Sequence, residues 1–289
     1  MLNLTQVATF VAVVEQGGFH EAARHLGVSQ PTVTQHIKKL EADLMRPLIV
    51  RTHGKAGTTP HGAAFLPFAR SLMHVAGRAR DALDGRGLVV GASSNIGVYL
   101  LQPLVKAFTA AHPDVGPIDL RIGSNPETVR LLEDSEIDIG LMEWWDDRPG
   151  FDSRVWREEP VVVIVAPDHP WAGRRTIDRT ALLAEPLIGG EPGTGTARLL
   201  ERELGIAPET LKAGPQLGST EAVKQAVRAG LGVSLTLESA VRDEVAAGSL
   251  RALAIEQAPL ARSLYAIVSD SLPLGSPARA FDGFLAAAA

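Results

Sequence analysis

The chain has no cysteine among its 289 residues. That removes disulfides, thiolate nucleophiles, thiol redox sensing and Cys-type zinc or iron–sulfur sites, and it fits a reducing compartment. No run approaches the roughly 20 uninterrupted apolar residues of a membrane-spanning helix. The apolar start MLNLTQVATFVAVV has no basic residue before Arg24, carries Glu15 and lacks a small-residue cleavage pattern, so it reads as a helix of the mature protein rather than an export signal. A soluble, cytoplasmic protein is expected. No GxSxG elbow and no metal-spaced histidine pair occurs, and the eight histidines lie in the first third and at His112 and His169. Ser93 or Ser94 as a nucleophile therefore has no support, and an enzyme is not expected. The Gly-Thr-Gly-Thr run at 193–196 lacks the GK[ST] ending of a phosphate-binding loop. No nucleotide, metal or other cofactor is implied.

With 45% hydrophobic and 21% charged residues, the chain is long enough for two or three compact units. Its net charge of −5 is unevenly spread: residues 1–87 hold ten Lys/Arg against six Asp/Glu, so the remainder carries −9. A basic N-terminal region on an acidic chain points towards nucleic acid.

From Leu4, the apolar residues Val7, Phe10, Val11 and Val14 recur at helical spacing until Gly17-Gly18 ends the helix. A short second helix fits Phe19 to Leu26, with Ala22, Ala23 and Leu26 inward, and Gly27-Val28 permits a tight turn. Ser29 then caps a third helix, in which Pro31 suits the first turn and Val33, Ile37 and Leu40 form the buried stripe. Its other face presents Gln30, Thr32, Thr34, Gln35 and Lys38, hydrogen-bonding groups suited to base edges and phosphates in a major groove. A strand at Leu48-Ile49-Val50-Arg51, a basic tip with Lys55 and a return strand to Thr58 make a wing; Arg51, Lys55 and Arg46 suit phosphates. An amphipathic helix pair with a solvated outer face is the alternative for the helices alone.

The segments AARHLGVSQPTVTQHIKKLEADL and LIVRTHGKAGTTPHG resemble those of LysR-type transcriptional regulators. The resemblance implies a winged helix-turn-helix whose third helix reads double-stranded DNA, with Gln30, Thr32, Thr34, Gln35 and Arg51 at the family's contact positions. The family commonly has Ser or Thr where Gly18 and His20 stand, and Arg where Gln35 stands. GASSNIGVYLLQPLVKAF, EIDIGLM, EPGTGTARLLER and STEAVKQAVRAGLGVSL resemble the family's inducer-binding domain. A homotetramer is implied on the same ground, and RNA polymerase is an expected partner because ligand closure would alter the spacing or bend of bound DNA and so the polymerase's access.

After Pro60, Phe65, Ala69, Leu72, Ala76, Ala79 and Leu83 recur at four- and three-residue steps, a two-helix seam that predicts a homodimer, with Pro67 bending the helix near its start. Two recognition helices would then lie about 34–36 Å apart, one duplex turn. The alternative is packing on the chain's own core.

Beyond residue 87, strands at Leu88–Ala92, Ile118–Ile122 and Ile137–Met142 alternate with helices at Ile96–Ala111 and Glu127–Leu132. A second unit begins at Val161–Ala166, with further strands at Leu187-Ile188 and Gly232–Thr236 and helices at Ala197–Leu204 and Glu221–Ala229. A return through Leu264–Val268 gives two crossings between lobes. The expected fold is thus a largely α-helical winged helix-turn-helix (1–58), a linker helix (59–87), and an α/β two-lobed domain resembling periplasmic binding proteins (88–289; first lobe about 88–160 and 264–289, second about 161–263). A solute-binding protein shares the two lobes but needs export and has no use for residues 1–87.

Strand-to-helix junctions in both lobes offer hydroxyl and amide donors: Ser93, Ser94 and Asn95; Ser124 and Asn125, with Thr128 one turn in; Thr194 and Arg198; Ser219 and Thr220. Any one of these is a standard cap, and Arg198 equally suits a structural ion pair; their convergence predicts a cleft for a small anion. Glu143, if it faces inward, would repel a carboxylate and favour a zwitterion. Trp144 and Trp145 either line the cleft or pack on the hinge. The expectation is a sequence-specific DNA-binding regulator modulated by a small-molecule effector; the alternative is one whose C-terminal domain is ligand-independent or governed by a protein partner.

Overall fold

The computed structural model describes residues 1–52, 55–83, 87–189, 196–206, 210, 212–256 and 259–288. The chain forms two compact units, one of residues 1–86 with 133–136 and one of 87–132 with 137–289.

In the first unit, α1 (Leu4–Glu15), α2 (Phe19–Leu26) and α3 (Gln30–Leu44) precede a hairpin of β1 (Ile49–Thr52) and β2 (Lys55–Thr58) and the helix α4 (Pro60–Leu83). Asn3 caps α1 by accepting from Thr5 N and Gln6 N. Gly27 ends α2 in the left-handed region (φ 66°), where glycine carries no Cβ penalty, and Ser29 opens α3 by accepting from Thr32 N. Val7, Phe10, Val13, Val33, Ile37 and Leu40, spaced to share one helical face, make the core with Leu48 and Ala69. Glu41 on α3 accepts from the backbone N–H groups of Leu48 (2.7 Å) and Ile49 (3.1 Å), which fixes where the hairpin leaves the helix. Its tip at 53–54 lies outside the described residues.

α4 corrects the expected seam. Phe65 lies 5.6 Å from Phe10, and Ala69 is fully buried in the winged unit's core, so the first turns of the stripe serve their own chain. Leu72 of the expected stripe stays exposed, and the large apolar residues exposed beside it are Phe68 and Val75. The helix is unbroken at Pro67. Gly62 is required by close approach: a Cβ there would stand 2.0 Å from the Leu48 carbonyl oxygen.

The second unit is built on an eight-stranded mixed sheet in the order β4-β3-β5-β12-β6-β11-β7, with β10 also on β6. Its first lobe contains β3 (Leu88–Ser93), α5 (Ser94–Tyr99), α6 (Leu101–Ala111), β4 (Ile118–Gly123), α7 (Asn125–Glu133) and β5 (Ile139–Met142). Two long strands, β6 (Phe151–Val165) and β12 (Leu260–Ser269), pair antiparallel with a bulge between Leu264 and Tyr265. The second lobe adds β7 (Thr176–Ile177), β8 (Leu187–Gly189), α8 (Thr196–Leu204), β9 (Ala213–Gln216), α9 (Thr220–Arg228), β10 (Ser234–Leu237), α10 (Arg242–Ala246) and β11 (Arg251–Ile255). The chain ends in α11 (Pro277–Ala287), packed on the first lobe.

Where both faces of the sheet are covered, as along β3, β5 and Val161–Val165 of β6, the strands are apolar on both sides. Val161, Val163 and Val165 of β6 enter one second-lobe cluster, while Val162 and Ile164 enter the other, against Val223 and Val227 of α9. In the first lobe, Leu88, Val90 and Ala92 pack with Phe108 and Phe281, whose rings meet edge-on at 4.8 Å. Full burial of each such side chain is worth about 1.5–3 kcal/mol.

Two expectations change. The helix read as Ile96–Ala111 is two helices divided at Leu100, whose φ of −120° leaves the helical region. The second lobe does not start with its own strand at Val161; β6 runs uninterrupted from Phe151. Pro160 stays within the strand, since β10 and β11 pair with β6 only from Val161 and Val163 onward and its missing N–H costs no ladder bond on that side.

Candidate nucleic-acid interface and effector site

On α3, burial of Val33, Ile37 and Leu40 turns the opposite face outward. Gln30, Pro31, Thr34, Gln35 and Lys38 line one shallow concavity on that face. The Thr34 hydroxyl donates to the Gln30 carbonyl (3.1 Å), and the Thr32 hydroxyl bonds Ser29 Oγ (2.8 Å). The side chains of Gln30, Gln35 and Lys38, by contrast, have no hydrogen-bond or ion-pair partner among the described residues. His36 on the flank bonds Thr9 Oγ1 (2.9 Å) and holds α3 against α1. Arg51 and Lys55 stand on the paired wing strands, Arg51 opposite Ala56 and Lys55 opposite Thr52; their side chains lie outside the described residues.

In the second unit, one buried polar network joins both lobes and a strand that runs between them. Asn95 on α5 donates from Nδ2 to Glu143 Oε1 (3.0 Å) and accepts at Oδ1 from Thr220 Oγ1 of the second lobe (2.7 Å). The Glu143 backbone N–H donates to Asn125 Oδ1 (2.8 Å), and Asn125 Nδ2 donates to the Trp144 carbonyl (3.3 Å). Arg262 on β12 forms an ion pair with Glu143 Oε2, with side-chain exposures of 8% and 2%. Beside this network, Tyr99 of α5 stands 5.1 Å from the Lys224 ammonium of α9. Burial alone would lower the Lys224 pKa, but its hydrogen bonds to Glu221 (2.8 Å) and Glu244 (2.6 Å) outweigh that and hold it above the ordinary lysine range. Burial raises the Tyr99 phenol.

The candidate residues thus divide. Asn95, Asn125, Glu143 and Thr220 come together. The Ser93 hydroxyl is buried with no hydrogen-bond partner. Ser94 donates to the Gly123 carbonyl at the end of β4 (2.9 Å), while Ser124 accepts from Glu127 N (3.3 Å) and Ser219 from Ala222 N (3.2 Å), both local capping bonds. Thr128 is fully buried and donates to the Ser124 carbonyl (3.0 Å), within its own helix turn. Thr194 and the Arg198 side chain lie outside the described residues. Trp145 packs edge-on to Phe151 at 5.7 Å within a first-lobe cluster, under the Arg148 guanidinium.

Glu143 does not carry the lone negative charge expected of it, because Arg262 balances it. Arg262 was missed, yet its signal is legible: Leu260, Arg262, Leu264 and Ala266 share one face of β12 by the two-residue period, and that face is buried. A cation in an otherwise apolar buried stripe needs an anionic partner.

A winged helix-turn-helix with free polar groups on its third helix, followed by an α/β unit of two lobes joined by long strands, defines a DNA-binding regulator with a ligand-binding domain. The chain belongs to the LysR family of transcriptional regulators: residues 4–63 match the bacterial regulatory helix-turn-helix protein, lysR family, and residues 82–289 match the LysR substrate binding domain. It is 44% identical over 196 residues to the putative HTH-type transcriptional regulator protein PtxE of Stutzerimonas stutzeri, covering 68% of this chain and all of that one. To the HTH-type transcriptional regulator CbbR of Rhizobium meliloti (strain 1021) it is 34% identical over 300 residues, covering 99% and 94% of the two chains. Among solved structures, full-length CbnR complexed with its target DNA superposes with a TM-score of 0.69 at 24% identity over the whole of both chains, a likeness of fold. The protein is a regulator of transcription, not an enzyme, and among the described residues no helix is long and apolar enough to cross a membrane.

Proposed function

We infer that this cytoplasmic regulator reads its operator through Gln30, Thr32, Thr34 and Gln35 of α3, with Lys38, Arg51 and Lys55 against phosphates. Residues 1–58 serve as the DNA-binding domain, 59–87 as the linker and 88–289 as the effector domain, whose ligand is a small anion or zwitterion held by Ser93, Asn95, Thr220 and their neighbours. The exposed stripe Phe68, Leu72 and Val75 on α4 supports a homodimer through that helix, with assembly to a tetramer and contact with RNA polymerase as the route to promoter control. The observation that carries the DNA reading is the row of unpartnered, solvent-facing Gln30, Gln35 and Lys38 on a helix whose other face is fully buried.

Selection of full-length protein on random duplex DNA tests it. Gln35→Ala relaxes base preference at one position, whereas Lys38→Ala weakens all sequences alike and flattens the salt dependence of binding by about one phosphate contact. Equal effects of the two substitutions on every sequence contradict the assignment. Effector control follows population-shift logic: a swing from 1:99 to 99:1 needs about 5.5 kcal/mol of differential affinity, within reach of several charge-assisted bonds shared over subunits.

A further inference from the structure

The Glu143–Arg262 pair is buried where the lobes meet, Arg262 standing on β12 between Leu260 of a second-lobe cluster and Leu264 of a first-lobe cluster. A buried ion pair is a weak source of stability, since an apolar pair of similar size commonly serves the fold as well or better. What the pair supplies is chemical: a guanidinium already gripping a carboxylate. Glu143 is held there by Asn95 at Oε1 and by Asn125 at its backbone N–H, and Asn95 in turn receives the Thr220 hydroxyl from the opposite lobe. Two residues before Asn95, the Ser93 hydroxyl, 1% exposed, has no hydrogen-bond partner. A buried hydroxyl is costly to leave unsatisfied, and this one closes the strand that leads into Asn95.

We propose that Arg262 is the anion-recognition residue of this lobe junction, and that Glu143 is its internal competitor, which an entering oxyanion of an effector displaces. This rests on the reading of the second unit as an effector domain and adds to it the residue that sets ligand charge. The ligand class is a compact oxyanion, whether carboxylate, sulfate or phosphate. All three present oxygens to the planar guanidinium fork as Glu143 does. Ser93 supplies a further donor. Displacement of Glu143 from Arg262 also loosens its hold on Asn95 and so alters the Asn95–Thr220 bond between lobes, which couples ligand arrival to lobe geometry.

Titration of the full chain at constant ionic strength with sulfate, phosphate and acetate, read by calorimetry and tryptophan fluorescence, tests this. Glu143→Gln keeps an acceptor for Arg262 and removes the competing charge, so the preferred anion binds it at least tenfold more tightly than it binds the wild-type chain. Arg262→Met loses that binding, and Arg262→Lys retains part of it. Glu143→Asp, which keeps the charge but shortens its reach, lies between wild type and Glu143→Gln and stands in should the amide variant fail to fold. Unchanged or weaker anion binding in a folded Glu143→Gln chain overturns the proposal, as does wild-type affinity in Arg262→Met. Anion binding that survives in Arg262→Met removes Arg262 while leaving the effector domain standing. Silence of every variant towards all three anions overturns the proposal together with the anion reading, whereas binding of an uncharged or zwitterionic compound would still support an effector domain.

Discussion

The recognition face of α3 and the lobe junction of the second unit treat polar side chains in opposite ways. On α3, Gln30, Gln35 and Lys38 are exposed and unpartnered, while the junction residues Asn95, Asn125, Glu143, Thr220 and Arg262 are largely buried and bonded to one another. The first surface is complete before its ligand arrives, and a duplex adds bonds without breaking any. The second is self-satisfied, and a ligand must exchange bonds with it. Affinity for DNA then depends on charge and groove fit, whereas affinity for an effector depends on the difference between two nearly balanced networks.

The largest way to break this comparison is Arg262→Met, which strands the buried Glu143 carboxylate and destabilises the second unit by about 3–5 kcal/mol. All four tryptophans (Trp144, Trp145, Trp156 and Trp171) lie in that unit, so urea unfolding of the full chain followed by tryptophan fluorescence reports it alone. Arg262→Met combined with Glu143→Leu recovers most of the loss, because no charge remains unpaired. A strained backbone contact in the other unit gives the next effect. Gly62→Ala places a Cβ 2.0 Å from the Leu48 carbonyl and forces α4 off the hairpin base, costing about 1–3 kcal/mol, seen as faster hydrogen exchange in residues 4–58 with the tryptophan-monitored transition unmoved. Ser29→Ala removes the α3 cap for about 1 kcal/mol and weakens DNA binding without changing which bases are preferred.

The smallest effect is a pH dependence. Hydrogen bonds from Lys224 and Gln225 lower the Glu221 pKa below its ordinary value. A depressed carboxylate contributes stability that is present above its unfolded pKa of about 4.3 and is lost as pH falls through the folded value. Glu221→Gln therefore flattens the acid limb of the second unit's stability slightly and leaves neutral pH nearly untouched, because the Glu221 side chain is 59% exposed.

What could be read from the sequence follows the same division. The winged unit is governed by local signals: Gly27 at a left-handed turn, Ser29 as a cap, and apolar residues at helical spacing, so its helix limits and outward face were legible. The seam on α4 was misread at Phe65 and Ala69, because periodicity records that a residue is buried and not whether its own chain or a partner buries it; both went to the chain's own core, while Leu72 stays exposed. In the second unit the first-lobe strands and most helices were legible from alternation, although α5 and α6 were read as one and the short α10 was not read at all. β7, β9 and β11 were missed, being short and mixed in composition, and β6 was started only at Val161. The junction was legible only in part. Asn95, Asn125, Glu143 and Thr220 were marked by their place at helix starts and a strand end, but their mutual bonds span 18 to 125 residues of chain. The partner that decides the charge of Glu143 stands 119 residues away on β12.

The most direct test of an anion-responsive second unit is the tryptophan-monitored thermal melt of the full chain across a panel of small carboxylates, amino acids, sulfate and phosphate. A ligand bound only by the folded state adds about 2.7 kcal/mol at a hundredfold excess over its Kd. At least one anion is expected to raise the melting temperature with a saturating dose response that Arg262→Met abolishes; a melt that no anion moves, or one moved equally in Arg262→Met, contradicts an anion-responsive unit built on Arg262.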